Sequence, residues 1–167
     1  MQQVAQIEKT VAGWMKDLPH LPKGLTKWLA ENAWWLVIIG VVFGVFGLLA
    51  TLSAMTLGSA VLGALGAPVL GGAFFVSSLI SLIGAGVAVV VEAMAISLLK
   101  AMQKKGWDLL FLSTLVSVAG AVVSSLVSVN IIGIVWAALA AAISFYVLLE
   151  VKSYFGAKAK LAEKSAE

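Results

Sequence analysis

Cysteine and arginine are both missing from this 167-residue chain. Without cysteine there is no disulfide framework, no thiolate nucleophile and no Cys-ligated zinc or iron–sulfur centre. Without arginine, all eleven positive charges are lysine ammonium groups, and the planar fork that grips phosphate in two places has no source. The net charge of +3 therefore does not point to nucleic acid. Charge of either sign is scarce, at 11% of residues, where a soluble domain carries about 25%. Histidine occurs once, as His20 between Pro19 and Pro22. Bis-histidine haem ligation, a His-based metal cluster and a Ser–His pair are excluded by that count. No enzyme, cofactor or metal is expected.

What the chain has instead is apolar mass. Residues of the set AVILMFWYC make up 62%, and the mean hydropathy is +1.07. A water-soluble fold of this size could not hide that much apolar surface, because more than half of a small protein's surface stays exposed. The chain reads as an integral membrane protein whose first partner is the lipid bilayer.

From Asn32 through Val91, and again from Leu109 through Leu149, no residue is charged. A helical crossing takes about 20 apolar residues. The first run therefore holds two crossings with a surplus, and the second holds two joined by a tight turn at Ser128–Asn130. Runs such as Val87–Val91 do not alternate in polarity, which excludes a transmembrane barrel. The expected fold is all-α, with four transmembrane helices at residues 33–55, 72–99, 107–128 and 131–151. The surplus, Thr56 to Gly72, is rich in glycine and reads as a loop, a re-entrant segment or an extension of span two. A three-span chain is the rival.

Lysine positions decide between them. Four precede span one, three lie between spans two and three, and four follow span four. Four spans put all eleven on one side, as the positive-inside bias requires. Both termini are then cytoplasmic, and the expected location is a bacterial inner membrane. No cleavable signal peptide is expected.

Residues 1–32 read as a cytoplasmic, interfacial segment, residues 33–151 as the membrane domain and residues 152–167 as a Lys-rich, solvated tail. Val4, Ile7, Val11, Trp14 and Leu18 recur at helical spacing, which predicts an amphipathic helix on the inner leaflet. A second short helix is expected at Leu25–Asn32. Trp14, Trp28, Trp34, Trp35, Trp107 and Tyr154 are expected as interfacial anchors in the headgroup layer.

In lipid, helices associate through small residues and hydrogen bonds. Gly40, Gly44 and Gly47 in span one, and Ser117, Gly120 and Ser124 in span three, are the expected packing positions. Glu92 is the only ionisable group well inside a span, eight residues before Lys100 and so roughly 12 Å deep. A carboxylate there is costly to insert and is a functional candidate by default. Its expected partners are Tyr146, Ser113 or water. The structural alternative has Lys100 or Lys152 reaching towards it. Small multidrug-resistance transporters also have four spans and one intramembrane glutamate. Theirs lies in the first span, so no site carries over from them.

Two functions are expected in order. The first is a non-enzymatic scaffold that self-associates, as a homo-oligomer, or holds another membrane protein. The second is a small oligomeric transporter or channel with Glu92 as its proton- or cation-linked residue.

Overall fold

A computed structural model describes residues 2–156, with side chains described from Gln6 onwards. The described chain is all-helical: α1 (Gln2–Met15), α2 (Lys23–Ala64), α3 (Pro68–Lys100), α4 (Lys104–Val127) and α5 (Ile131–Val151), then a short 3₁₀ turn at Lys152–Tyr154. Helices α2 to α5 are each long and apolar enough to cross a membrane. The tail with Lys160 and Lys164 lies outside the described residues, as does the side chain of Val4.

Two expected boundaries are corrected. Leu25–Asn32 is not a separate helix; it is the first part of α2, which runs unbroken for 42 residues. No glycine or proline lies between Leu25 and Ile39 to stop it. Most of Thr56–Gly72 is helical as well, split between the end of α2 and the start of α3. Glycine weakens a helix by about 1 kcal/mol. An unsatisfied backbone group in hydrocarbon costs several times that, so Gly58 and Gly63 stay in the helix. The break comes at Leu65–Ala67, where Gly66 takes φ +78° and Pro68 opens α3.

All three connections between these helices end in the same way. The amide of Ala67 donates to the Leu62 carbonyl, that of Gln103 to Leu98, and that of Asn130 to Ser125, at 2.8–2.9 Å. Each bond closes a Schellman turn over a left-handed residue. That residue is Gly66 in the first turn, but Met102 (φ 53°) in the second and Val129 (φ 49°) in the third. Asn130 then caps α5, its Oδ1 accepting from the Gly133 amide at 2.9 Å.

The helices pack in chain order, α2 on α3, α3 on α4 and α4 on α5, while α2 and α5 hardly touch. A Cβ on Gly84 would come 3.4 Å from the Gly120 Cα, and one on Gly44 would strike Val89. Ser124 donates its hydroxyl to the Ser77 carbonyl at 3.0 Å, joining α3 to α4. Gly44, Gly120 and Ser124 thus sit at helix contacts. Gly40 and Gly47 do not, since a Cβ on either would meet nothing within 4 Å. Both fall to the same side of the strip of α2 that Gly44 presents to α3.

The core is concentrated at the lysine-bearing end: Ala30, Ala95, Leu99, Trp107, Phe111, Phe145 and Phe155 are all buried there. Trp107 is not an interfacial anchor, being 1% exposed. Its Nε1 donates to the Leu148 carbonyl at 2.7 Å and its ring stacks on Phe111, centroids 5.3 Å apart. Gly106 is the reason, because a Cβ there would come 2.8 Å from the Leu99 amide nitrogen. The start of α4 is thereby pressed into the bundle. Trp14, Trp28 and Trp35 are exposed, and Trp34 and Tyr154 are partly covered.

Helix α1 and the link after it lie against the same end. Val11 is buried in the core cluster, whereas Ile7, Trp14 and Leu18 stay exposed. Glu8 pairs with Lys152, and His20 Nδ1 lies 2.7 Å from Glu150.

A non-glycine residue in the left-handed region costs roughly 1–2 kcal/mol. Val129→Gly should therefore raise stability by about 1 kcal/mol, read as a higher unfolding midpoint in detergent. Gly66→Val should lower it by a similar amount.

Candidate functional site

Helix α3 carries Glu92 at the level where α2, α4 and α5 surround it. On α4, Ser113 is fully buried and its Oγ lies 3.3 Å from Glu92 Oε1. The same hydroxyl lies 2.9 Å from the Leu110 carbonyl. A serine has one hydrogen to give, and this one faces two acceptors. If Glu92 is ionised, Ser113 donates to it. If Glu92 carries a proton, it can donate to Ser113, which then donates to Leu110. Rotation of one hydroxyl accommodates either protonation state.

Both lysines that could neutralise the carboxylate are engaged elsewhere. Lys100 Nζ sits 5.3 Å from the Trp34 ring centroid. Lys152 is paired with Glu8 and lies 5.2 Å over the Trp107 ring. Among the described residues, the ion pairs are His20–Glu150, Lys27–Glu31 and Lys152–Glu8, and none includes Glu92.

Two cavities meet at the carboxylate. One, of about 380 Å³, lies between α2, α4 and α5, with Val37 and Gly40 on one wall and Leu110, Ser113 and Ile143 on the others. The other, of about 250 Å³, lies between α4 and α5 beside Ser117, Ala121, Ala137 and Ala141. Glu92, Thr114 and Ser144 line both. The small residues of α4 and α5 thus leave a space where larger side chains would have filled it. Gly40 contributes room to the site instead of a helix contact.

Tyr146 is a correction. Its hydroxyl donates to the Pro19 carbonyl, and it lines neither cavity. At 3.6 residues per turn it lies about 200° around α5 from Ser144, which takes the place expected of it. Ser113 is at the site, and Ser117 lines a cavity wall. Thr114 and Ser144 were missed. A signal for them exists, because each lies fifteen residues from Val129 and an antiparallel hairpin turning there brings them level.

Among the described residues, no three His, Cys, Asp or Glu side chains gather in one place. No family model matches this chain, and no curated protein or solved structure matches it.

A carboxyl at a cavity open towards lipid should react with a hydrophobic carbodiimide. In reconstituted vesicles, dicyclohexylcarbodiimide should modify Glu92 and leave the Glu92→Gln variant unmodified at that position, as read by mass spectrometry. A hydrophilic carbodiimide should label it much more slowly.

Proposed function

We propose that this chain is a subunit of a small membrane transporter or channel, with Glu92 as its proton- or cation-linked residue. One observation carries the reading: a carboxylate stands where two cavities meet, and among the described residues no lysine pairs with it. An acid serving only to hold the bundle together would be expected to have a basic partner or a full set of hydrogen bonds. Glu92 has a single serine hydroxyl, and that hydroxyl is shared.

The membrane frame follows from charge. The lysine-bearing end faces the cytoplasm, which places both termini there, and the compact uncharged outer turns suit a bacterial inner membrane. Helix α1 lies at the inner surface with Trp14 and Trp28 in the headgroup layer, where an indole is half buried. The working form is a homo-oligomer, because one bundle with α2 and α5 apart does not enclose a pathway.

A scaffold remains the second reading, and it too has an observation in its favour. The pairs Ser77–Ser124 and Gly84–Gly120 set the register of α3 on α4. In that register the α2–α3 turn stands about two helical turns, roughly 10 Å, beyond the α4–α5 turn. Leu65, Val69 and Leu70 are exposed on it.

Ion flux in proteoliposomes separates the two readings, with wild type beside Glu92→Gln over a range of pH. The transporter reading expects proton or monovalent-cation flux that falls at least tenfold in the variant while its oligomer stays intact. No flux from folded wild type would leave the scaffold.

A further inference from the structure

The chemistry of the cavity walls narrows what cation the site takes. A hard inorganic cation strips off its water only where six or more oxygens replace it, as calcium sites illustrate. Helix carbonyls at this depth are occupied by their own ladders. The oxygens on offer are the Glu92 carboxylate and the hydroxyls of Ser113, Thr114, Ser117 and Ser144, but Ser113 lines only the larger cavity and Ser117 only the smaller, so neither presents six, and the walls are otherwise aliphatic. Thr114 already donates to the Leu110 carbonyl at 2.9 Å. That leaves acceptor lone pairs pointing into space, too few to surround a bare ion.

An organic ammonium makes different demands. It needs one counter-charge, acceptors for its N–H groups and apolar cover for its body. A quaternary ammonium has no N–H and is held by aromatic cages, and no aromatic ring lines either cavity. A primary ammonium has three donors in a compact head. One carboxylate with serine and threonine oxygens beside it supplies acceptors for such a head, and Val37, Leu110 and Ile143 would cover a short alkyl body. The space between α2 and α5, which hardly touch, gives a lateral route from the bilayer.

We infer that the Glu92 cavity binds the primary ammonium group of an amine with an apolar body, taken from the membrane between α2 and α5. The inference rests on Glu92 being the cation-linked residue. The ammonium could belong to a free alkylamine or to the head group of an aminophospholipid.

Hexylamine is the probe, titrated calorimetrically into full-length protein in phosphatidylcholine nanodiscs, with empty discs to subtract partitioning. Saturable binding to wild type is expected, weakened at least tenfold in Glu92→Gln. Gly40→Leu, which fills part of the larger cavity without touching the charge, should weaken it severalfold. Unfolding midpoints of both variants identify any that fail to fold, and Ser144→Val then serves in their place. Tetrapropylammonium or sodium binding as tightly as hexylamine would overturn the primary-amine assignment. Phosphatidylethanolamine in the discs should either compete, naming the lipid head group as the source, or leave binding unchanged, naming the free amine; both uphold the ammonium site. Glu92-dependent flux of protons or sodium without hexylamine binding would overturn this inference alone. Absence of both would overturn the transporter reading as well.

Discussion

In hydrocarbon a backbone amide or carbonyl without a partner costs several kcal/mol, with no water to take its place. That constraint governs the fold before any side chain is considered. It keeps α2 helical through Gly58 and Gly63, where water-exposed chain of the same composition would be free to loop. The same Schellman closure ends all three turns, even where Met102 and Val129 must adopt a left-handed backbone. Hydroxyls obey the same rule: Thr51, Ser53, Ser59 and Ser128 each donate to the carbonyl four residues earlier. Polar atoms that would be ordinary in water are thus absorbed one by one.

Helix association obeys a weaker constraint, and the bundle is uneven as a result. Without a hydrophobic drive between helices, contact depends on close approach and on the few hydrogen bonds that cross between them. Gly84 against Gly120, Gly71 against Ser59 and Gly106 against Leu99 permit such approach along α2, α3 and α4. Helix α5 has fewer ways to attach. Near the lysine-bearing end it is held by the Trp107–Leu148 bond and by Phe145 against Phe111, centroids 5.3 Å apart. Beyond that level its alanines face α4 across a cavity. The site exists because α5 meets α4 closely at both ends, at Phe145 on Phe111 and at Gly133 over Ser125, while small side chains between them leave space unfilled.

The four membrane helices were legible from charge and hydropathy alone, because the uncharged runs are long and lysine marks their ends. Where the reading failed, a local rule met a stronger long-range one. Glycines at 58, 63 and 72 announce a loop by propensity, yet the bilayer's demand on the backbone overrides propensity. Trp107 carries the composition of an interfacial anchor, but whether an indole faces lipid or the bundle depends on how closely α4 approaches α3, which Gly106 decides. Glu92 stood out as the lone acid, and Ser113 followed from depth. Tyr146 was chosen by depth without regard to helical phase, which turns it towards Pro19. Thr114 and Ser144 gave no pattern within either span; they become neighbours only when the hairpin folds about Val129.

Glu92 is set apart by incomplete compensation. Among the described residues no buried polar side-chain atom lacks a partner. The carboxylate has a 3.3 Å contact with a hydroxyl that also serves Leu110. A leucine in its place would carry no desolvation cost and would fill part of the space between α4 and α5, so the fold by itself gains nothing from an acid there. A strut would be closed by its neighbours, as Glu8 is by Lys152 and Glu150 by His20. Glu92 is instead left facing a cavity with oxygens on its walls and cations kept at a distance. On the proposed reading, a proton or a cationic head group that enters the cavity supplies the remaining compensation. That is the physical ground for treating Glu92 as a binding group.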